Sequence, residues 1–444
     1  MYLNRLTNGF LIELRENLIL GVGGEGKVFA LPPAPDLVAK VYHSPKPQHE
    51  AKLRAMLAYA VTDPMQDLGH TSIAWPVDLL VSHAGSAKVS GYLMPRVAGM
   101  RPVFTFYNPA SRLRECPLFG YRYLLRTARN LATAVQTLHE LGIVIGDVNE
   151  SNILVSENAL VTLVDTDSFQ IKDKHTSEIY RCPVGKPQFT PPELQGLSFK
   201  EINRSIEHDL FGLAILLFQL LMEGTHPFDG VYQGGGEPPL HESRIQAGDF
   251  PYARQPRKLY QPKPSSPPFE MLSPALQALF RQCFEDGHQN PGLRPTALVW
   301  REMLAEAETR LTVCAKNPQH HFANHNLHCP WCQRTEKLGG RDPFPSREAV
   351  RQGLPERKSK AAQATLPPRN PASARAAVGL RAKAAAAAAA AQGVQTSQPL
   401  FPAPAPQAEQ VGCSGCIVFV LVLGSWVGII LIFLCLLVFS RRPF

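Results

Sequence analysis

Apolar and polar positions alternate in recognisable blocks along the first three hundred residues. Leu18 to Leu31 (LILGVGGEGKVFAL) places apolar residues on both sides of a glycine-rich turn, which predicts strand, tight turn and strand. Asp36 to Tyr42 (DLVAKVY) predicts an apolar strand that carries one lysine. Gln48 to Tyr59 predicts a helix. Tyr121 to Leu141 is a long amphipathic helix by spacing, with Leu124, Leu125, Leu131, Val135 and Leu138 on one face. Leu160 to Phe169 (LVTLVDTDSF) predicts a strand ending in two aspartates. Cys416 to Phe439 differs from all of these. Its 24 residues carry no charge, and as a helix they would span roughly 36 Å, against a bilayer core of about 30 Å.

Composition sharpens the divisions. Residues 333 to 412 are rich in Pro, Ala and Arg and include eight consecutive alanines, Ala384 to Ala391. They hold few large apolar residues, so they predict a disordered linker. Charge follows the same boundary. The chain of 444 residues carries a formal +8, but 12 basic and 5 acidic residues fall between Gln333 and Gly412, and Arg441 and Arg442 add two more positive charges. Residues 1 to 332 are therefore near neutral, which speaks against a nucleic-acid-binding domain. Met1 to Leu20 holds Arg5, Glu13, Arg15 and Glu16 and no long apolar run, so it does not read as a signal peptide. The expectation is a chain anchored in the membrane by its C-terminal helix, with the folded part in the cytoplasm.

The candidate chemistry lies in two blocks. In the first, Gly21, Gly23, Gly24 and Gly26, followed by Val28, would let backbone N–H groups approach phosphate oxygens closely, because no Cβ intervenes. Lys40, inside an apolar strand, needs a partner if it is buried. Glu50 is the only acid of the helix that follows, and so the expected partner. In the second block, Asp147 and Asn152 stand five apart in a loop between apolar runs, and Asp165 ends the next strand. A carboxylate that accepts a hydroxyl proton, with an amide and a second carboxylate as hard oxygen ligands for Mg²⁺, suits phosphoryl transfer.

In order and spacing these motifs resemble a divergent bacterial branch of the eukaryotic-like Ser/Thr protein kinase superfamily, over about residues 15 to 310. The resemblance extends to Pro191-Pro192-Glu193, which looks like the close of the activation segment, and to Glu207 to Leu221, which looks like the buried helix whose Asp209 supports the catalytic loop. Arg294 resembles the late partner of Glu193, and Thr225-His226-Pro227-Phe228 the loop after the buried helix. It implies an α+β bilobal fold, with N-lobe 1–98 and C-lobe 99–310, and a Mg²⁺- and ATP-dependent protein phosphotransferase acting on a protein substrate. The departures bear on mechanism. Ile145-Gly146 replaces the usual His-Arg, Asn149 replaces the catalytic-loop lysine, and Thr166 and Asp167 replace the Phe-Gly after the metal-binding Asp. They leave open a pseudokinase that acts as a nucleotide-binding membrane scaffold. A small-molecule kinase shares the loss of the lysine.

Beyond the kinase-like region, Val313 to Gln333 (VCAKNPQHHFANHNLHCPWCQ) concentrates cysteine and histidine. The C-x₂-C of Cys329 and Cys332, with Cys314 and one histidine, suits a four-coordinate structural Zn²⁺. His320 is the first candidate, ahead of His325 and His321. Small CPWC ribbons of this kind follow the kinase domain in some bacterial kinase-like proteins. The expected order is completed by a zinc-ribbon-like module at 311–335, a linker at 336–412, a transmembrane helix at 413–440 and a short tail at 441–444.

Overall fold

Alternating apolar residues in the first hundred positions build one antiparallel sheet. In the computed structural model, which describes residues 1–83, 88–255 and 259–353, its strands are β1 (Tyr2–Arg5), β2 (Leu11–Glu13), β3 (Ile19–Val22), β4 (Gly26–Ala30), β5 (Leu37–Tyr42), β6 (Asp78–Ser82) and β7 (Val89–Pro95). Their spatial order is β2-β1-β6-β7-β5-β4-β3. β5 thus lies inside the sheet, paired to β4 and β7, with Lys40 opposite Val28 and Tyr92. One face buries Ala39 and Val41 among Leu3, Phe29, Leu31 and Leu80. The other carries Tyr42 and Tyr92, and helix α1 (Pro47–Leu57) packs there through Leu53 and Met56.

The second lobe is mainly helical. After β8 (Arg101–Pro102), α2 (Val103–Tyr107) and α3 (Pro109–Glu115), the 20-residue helix α4 (Tyr121–Glu140) forms its spine. A hairpin of β9 (Ile153–Val155) and β10 (Val161–Leu163) follows. A second hairpin pairs β11 (Ile171–Lys172) with β12 (Ile179–Tyr180). Helix α5 (Ile206–Leu221) buries thirteen of its residues, as its almost unbroken apolar run requires. The hairpin of β13 (Val231–Tyr232) and β14 (Tyr260–Gln261) flanks α6 (His241–Ala247). α7 (Pro274–Arg281) continues through a π turn into α8 (Gly287–Gln289). α9 (Ala297–Thr309) then packs along α4, where Arg126 donates to Glu308 at 2.5 Å.

Two expectations change. The strand expected over Leu160 to Phe169 is extended only at Val161–Leu163. Asp165 adopts a left-handed backbone (φ 58°), and Thr166–Ser168 form a 3₁₀ turn. The expected end of the cysteine module at residue 335 falls inside helix α10 (Pro330–Lys337), and ordered chain continues to α11 (Arg347–Arg351). The reason is packing: Trp331 is fully buried, 4.9 Å from the Tyr121 ring and 4.7 Å from that of Phe344. Most of the expected linker, and the apolar stretch Cys416–Phe439, lie outside the described residues. Among the described residues no helix is long and apolar enough to cross a membrane.

Candidate active site

The glycine turn closes over a cavity of about 540 Å³ between the lobes. Gly21, Gly23, Gly24, Gly26 and Val28 line it, together with Lys40 and Asp165. The glycines do different jobs. A Cβ on Gly26 would lie 2.4 Å from the Val41 carbonyl oxygen, so only glycine lets β4 pass β5 at this point. Around Gly21 and Gly24 the same construction meets open space, where backbone faces the cavity.

Lys40 reaches across the cleft. Its Nζ donates to Asp165 Oδ1 at 2.7 Å and to Asp167 Oδ1 at 2.6 Å, and the Tyr42 hydroxyl donates to Asp167 Oδ2 at 2.9 Å. Burial pushes the lysine pKa down, and the charges of Asp167 and Asp165 more than offset it, leaving it above the usual value. For Asp167, burial pushes the carboxyl pKa up, and the charge and hydrogen bond of Lys40 outweigh it, leaving the group below the usual range. Glu50, the expected partner, is not brought to Lys40. It accepts from Arg54 on its own helix, with Nη2 at 2.8 Å. The helical repeat explains this: α1 buries Leu53 and Met56 and sets the His49 ring 4.3 Å from that of Tyr42, which leaves Glu50 and Arg54 one turn apart on a flank.

The catalytic-loop residues converge on the other side of the cleft. Asp209 of α5 accepts from the backbone N–H of Ile145 at 2.7 Å and of Gly146 at 2.8 Å, and His139 lies 3.1 Å away. The buried helix therefore sets the backbone just before Asp147. Asn152 Nδ2 donates to the Asp147 carbonyl oxygen at 3.1 Å and to its Oδ2 at 3.3 Å. The Asn152 carbonyl accepts from Val164 N–H at 3.0 Å, which ties this loop to the strand end that bears Asp165. Asp147 Oδ1 is buried with no hydrogen-bond partner, an open acceptor beside the cleft. The Asp165 side chain keeps 46% of its surface exposed, so it can take a metal ligand's role as well as meet Lys40. These donors fit Mg²⁺ and a nucleotide: hard oxygens at Asn152 and Asp165, a cation at Lys40, and backbone amides at the turn.

Asn149, at the position where the resemblance puts a lysine, is 1% exposed. Its Nδ2 donates to the Asp147 carbonyl at 3.1 Å and its Oδ1 accepts from Ser151 N–H at 2.8 Å. A lysine from another segment stands nearby. Lys186 Nζ donates to Glu150 Oε1 at 3.0 Å and to the Ser151 hydroxyl, and shares a small hollow with Asp147. Arg204, which lines the same hollow, Asp167 and Lys186 were not singled out from the sequence as site residues. Asp167 had one visible sign, an acid where glycine is usual. Arg204 and Lys186 had none, because their partners are distant in sequence.

The position of Glu193 agrees with its expected pairing: Arg294 donates to both its oxygens, at 2.7 and 2.8 Å. The family described as the protein kinase domain matches residues 86–306.

Residues 86–306 carry a protein kinase domain.

Protein kinase YegI of Escherichia coli strain K12 is 39% identical to the chain over 316 residues, which is 70% of this chain and 47% of that protein. YegI of Escherichia coli O157:H7 is 38% identical over 316 residues, 70% of this chain and 48% of its own length. A probable serine/threonine-protein kinase of Dictyostelium discoideum, irlC, is 28% identical over 106 residues, covering 24% of this chain and 7% of that one. The chain spans about half the length of the two bacterial relatives.

A second centre lies against the kinase domain. The ligand atoms of Cys314, His320, Cys329 and Cys332 fall within 4.8 Å of one another. Cys314 Sγ and Cys332 Sγ are 3.6 Å apart, and His320 Nδ1 is 3.5 Å from both Cys329 Sγ and Cys332 Sγ. Tetrahedral Zn²⁺ with bonds of about 2.3 Å needs sulfurs about 3.8 Å apart, so the set fits. Asp342 Oδ1 sits 2.8 Å from His320 Nε2, which leaves Nδ1 to face the cysteines. His325 and His321 do not join the cluster. Their ring nitrogens meet the carbonyls of Glu270 at 3.0 Å and Gln319 at 3.3 Å. The module is bonded to the kinase C-lobe through a buried triad: Arg112 and Arg334 both donate to Glu223.

Proposed function

We propose that the protein is a Mg²⁺-dependent Ser/Thr kinase that moves the γ-phosphoryl group of ATP to a hydroxyl of a protein substrate. The observation that carries this reading is the convergence of the glycine turn, Lys40 and Asp165 on one cavity, with the Asp147 loop held beside it by Asp209. Asp147, with one carboxylate oxygen open, orients the acceptor hydroxyl and takes its proton. Asn152 and Asp165 hold the metal, and Lys40 meets the phosphates. When bound, Mg-ATP supplies the transferable group and neutralises its developing charge. Lys186, anchored on Glu150 and Ser151 beside Asp147, provides a cation on the acceptor side that Asn149 cannot.

The cysteine–histidine centre is proposed to hold structural Zn²⁺, and its packing supports a role in stabilising the C-lobe. The uncharged stretch Cys416–Phe439 supports membrane anchoring, with the kinase domain in the cytoplasm, where ATP is available. The test of activity uses the full chain with radiolabelled Mg-ATP and a generic protein acceptor. Asp147→Ala should lower labelling by roughly 100-fold or more. Equal labelling would sink the catalytic reading.

The buried, structurally committed Asn149 favours one second reading, a nucleotide-binding scaffold without transfer. Thermal stabilisation by Mg-ATP with no labelling above that of Asp147→Ala would select it.

A further inference from the structure

We infer that Asp167 is the positioning residue that fixes the nucleotide lysine Lys40, so that Lys40 is set by the strand end of the C-lobe and not by helix α1. The inference rests on the kinase reading for the role of Lys40 toward ATP. It rests on geometry for the pairing.

Both oxygens of Asp167 are engaged. Oδ1 accepts from Lys40 Nζ at 2.6 Å, and Oδ2 accepts from the Tyr42 hydroxyl at 2.9 Å. Its side chain is 2% exposed, against 46% for Asp165. Of the two aspartates, Asp165 therefore has surface free for a metal, and Asp167 does not. A lysine that is 10% exposed needs a buried counter-charge, and Asp167 supplies it. The backbone delivers Asp167 to that place. Asp165 breaks the strand with its left-handed φ, and the next residues turn inward as a 3₁₀ turn. Thr166 pins that turn by donating its hydroxyl to the Ala74 carbonyl at 2.8 Å. The other candidate, Glu50, pairs with Arg54, and Tyr42 lies between α1 and the aspartate, its ring against His49. A glutamate on a movable helix makes lysine placement depend on that helix. An aspartate in a pinned turn does not.

Two measurements on the full chain test this. The first is a melting-temperature cycle without nucleotide. Lys40→Met should strand the buried Asp167, and Asp167→Asn should leave Lys40 only the half-exposed Asp165, so each should lower the melting temperature. The double variant should melt above the sum of the two losses, because the neutral pair leaves no stranded charge. Simple additivity overturns the pairing. If Asp167→Asn alone gives no cooperative transition, recovery of one in the double variant supports the pairing, and failure to recover it counts against it.

The second is binding of a fluorescent ATP analogue, with excess EDTA and with increasing Mg²⁺. Asp167→Asn should weaken the Mg²⁺-free affinity by about tenfold, as expected for a charge-assisted contact, without raising the Mg²⁺ needed for half-saturation. Glu50→Gln should stay within about twofold of wild type, as an exposed pair implies. Equal losses in the two variants, or an Asp167→Asn effect seen only in the Mg²⁺ requirement, overturns the positioning role. Absence of nucleotide binding by the wild type removes that role together with the kinase reading, whereas the melting cycle still decides the pairing.

Discussion

Arg204 shares with the Cys182 side chain the space that Gly146 leaves open. Its Nη1 donates to the Gly146 carbonyl at 2.6 Å, and its Nη2 lies 3.0 Å from where a Cβ on Gly146 would stand. Gly146 itself has φ 78°, a conformation open to glycine and strained for other residues. From this position Arg204 also donates to the carbonyls of Val184, at 2.6 Å, and Cys182, and its guanidinium lies 4.4 Å from the centre of the Phe199 ring. An arginine on the catalytic loop could read a phosphorylated activation segment. Here the arginine comes from just before α5 and clamps that segment by its backbone.

Arg204→Ala should therefore destabilise the kinase domain by about 3 kcal/mol, the scale of charge-assisted bonds lost in a buried site. Chemical denaturation of the two proteins measures it. Phosphatase treatment of the wild type should leave activity within about twofold, since the clamp uses carbonyls and no phosphate. A large loss on dephosphorylation would show that a phosphate-dependent switch survives.

Gly26 and Gly24 should separate stability from nucleotide affinity. Gly26→Ala brings a Cβ within 2.4 Å of the Val41 carbonyl oxygen and 3.3 Å of the Tyr42 Cα, both backbone atoms, so it should lower stability by about 1–3 kcal/mol. Gly24→Ala meets nothing within 4 Å and should leave the melting temperature in place while weakening Mg-ATP binding. Melting curves with and without Mg-ATP check both outcomes.

The cysteine–histidine centre should contain one zinc per chain, read by elemental analysis of the purified protein. Because Trp331 of the same module is buried against Tyr121, loss of metal should be felt in the kinase lobe itself. Cys332→Ser or a strong chelator should lower the melting temperature of the whole domain. A separate, earlier transition with the kinase transition unmoved would mean that the module folds independently.

His226 should make stability fall in mild acid. Its ring is buried, 2.9 Å from the Gln188 carbonyl at Nε2, while Nδ1 accepts from Phe228 N–H at 3.2 Å. That pattern requires the neutral ring, and burial lowers its pKa to about 4. The unfolded chain takes up the proton near pH 6.5, well above the folded one. Stability should therefore decline as pH falls from about 6.5 to about 4, by a contribution on the order of 3 kcal/mol. Denaturation midpoints across that range, compared with His226→Gln, test it: the variant should show a flatter profile.

Much of the fold could be read from the chain, because the decisive patterns are local. Helix α1 was expected at Gln48 to Tyr59 and forms at Pro47–Leu57. The buried helix was expected at Glu207 to Leu221 and forms at Ile206–Leu221. Hydrophobic period and glycine content specify such elements through neighbours a few residues away. The candidate chemistry at Lys40, Asp147, Asn152 and Asp165 was legible for a similar reason, since residue type and spacing restrict it. What sequence could not supply was partner choice. Lys40 had a carboxylate available ten residues later and another 127 residues later, and the buried face of α1 excluded the nearer one. Arg204 beside Gly146 and Trp331 beside Tyr121 are also contacts between distant segments. Composition marked the cysteine module as separate, but ring packing joined it to the lobe. The sequence by itself determined which elements form and which reactive groups the chain carries. Only the tertiary structure decided which of those groups meet, because a buried charge or ring is placed by the packing of whole elements and not by its neighbours along the chain.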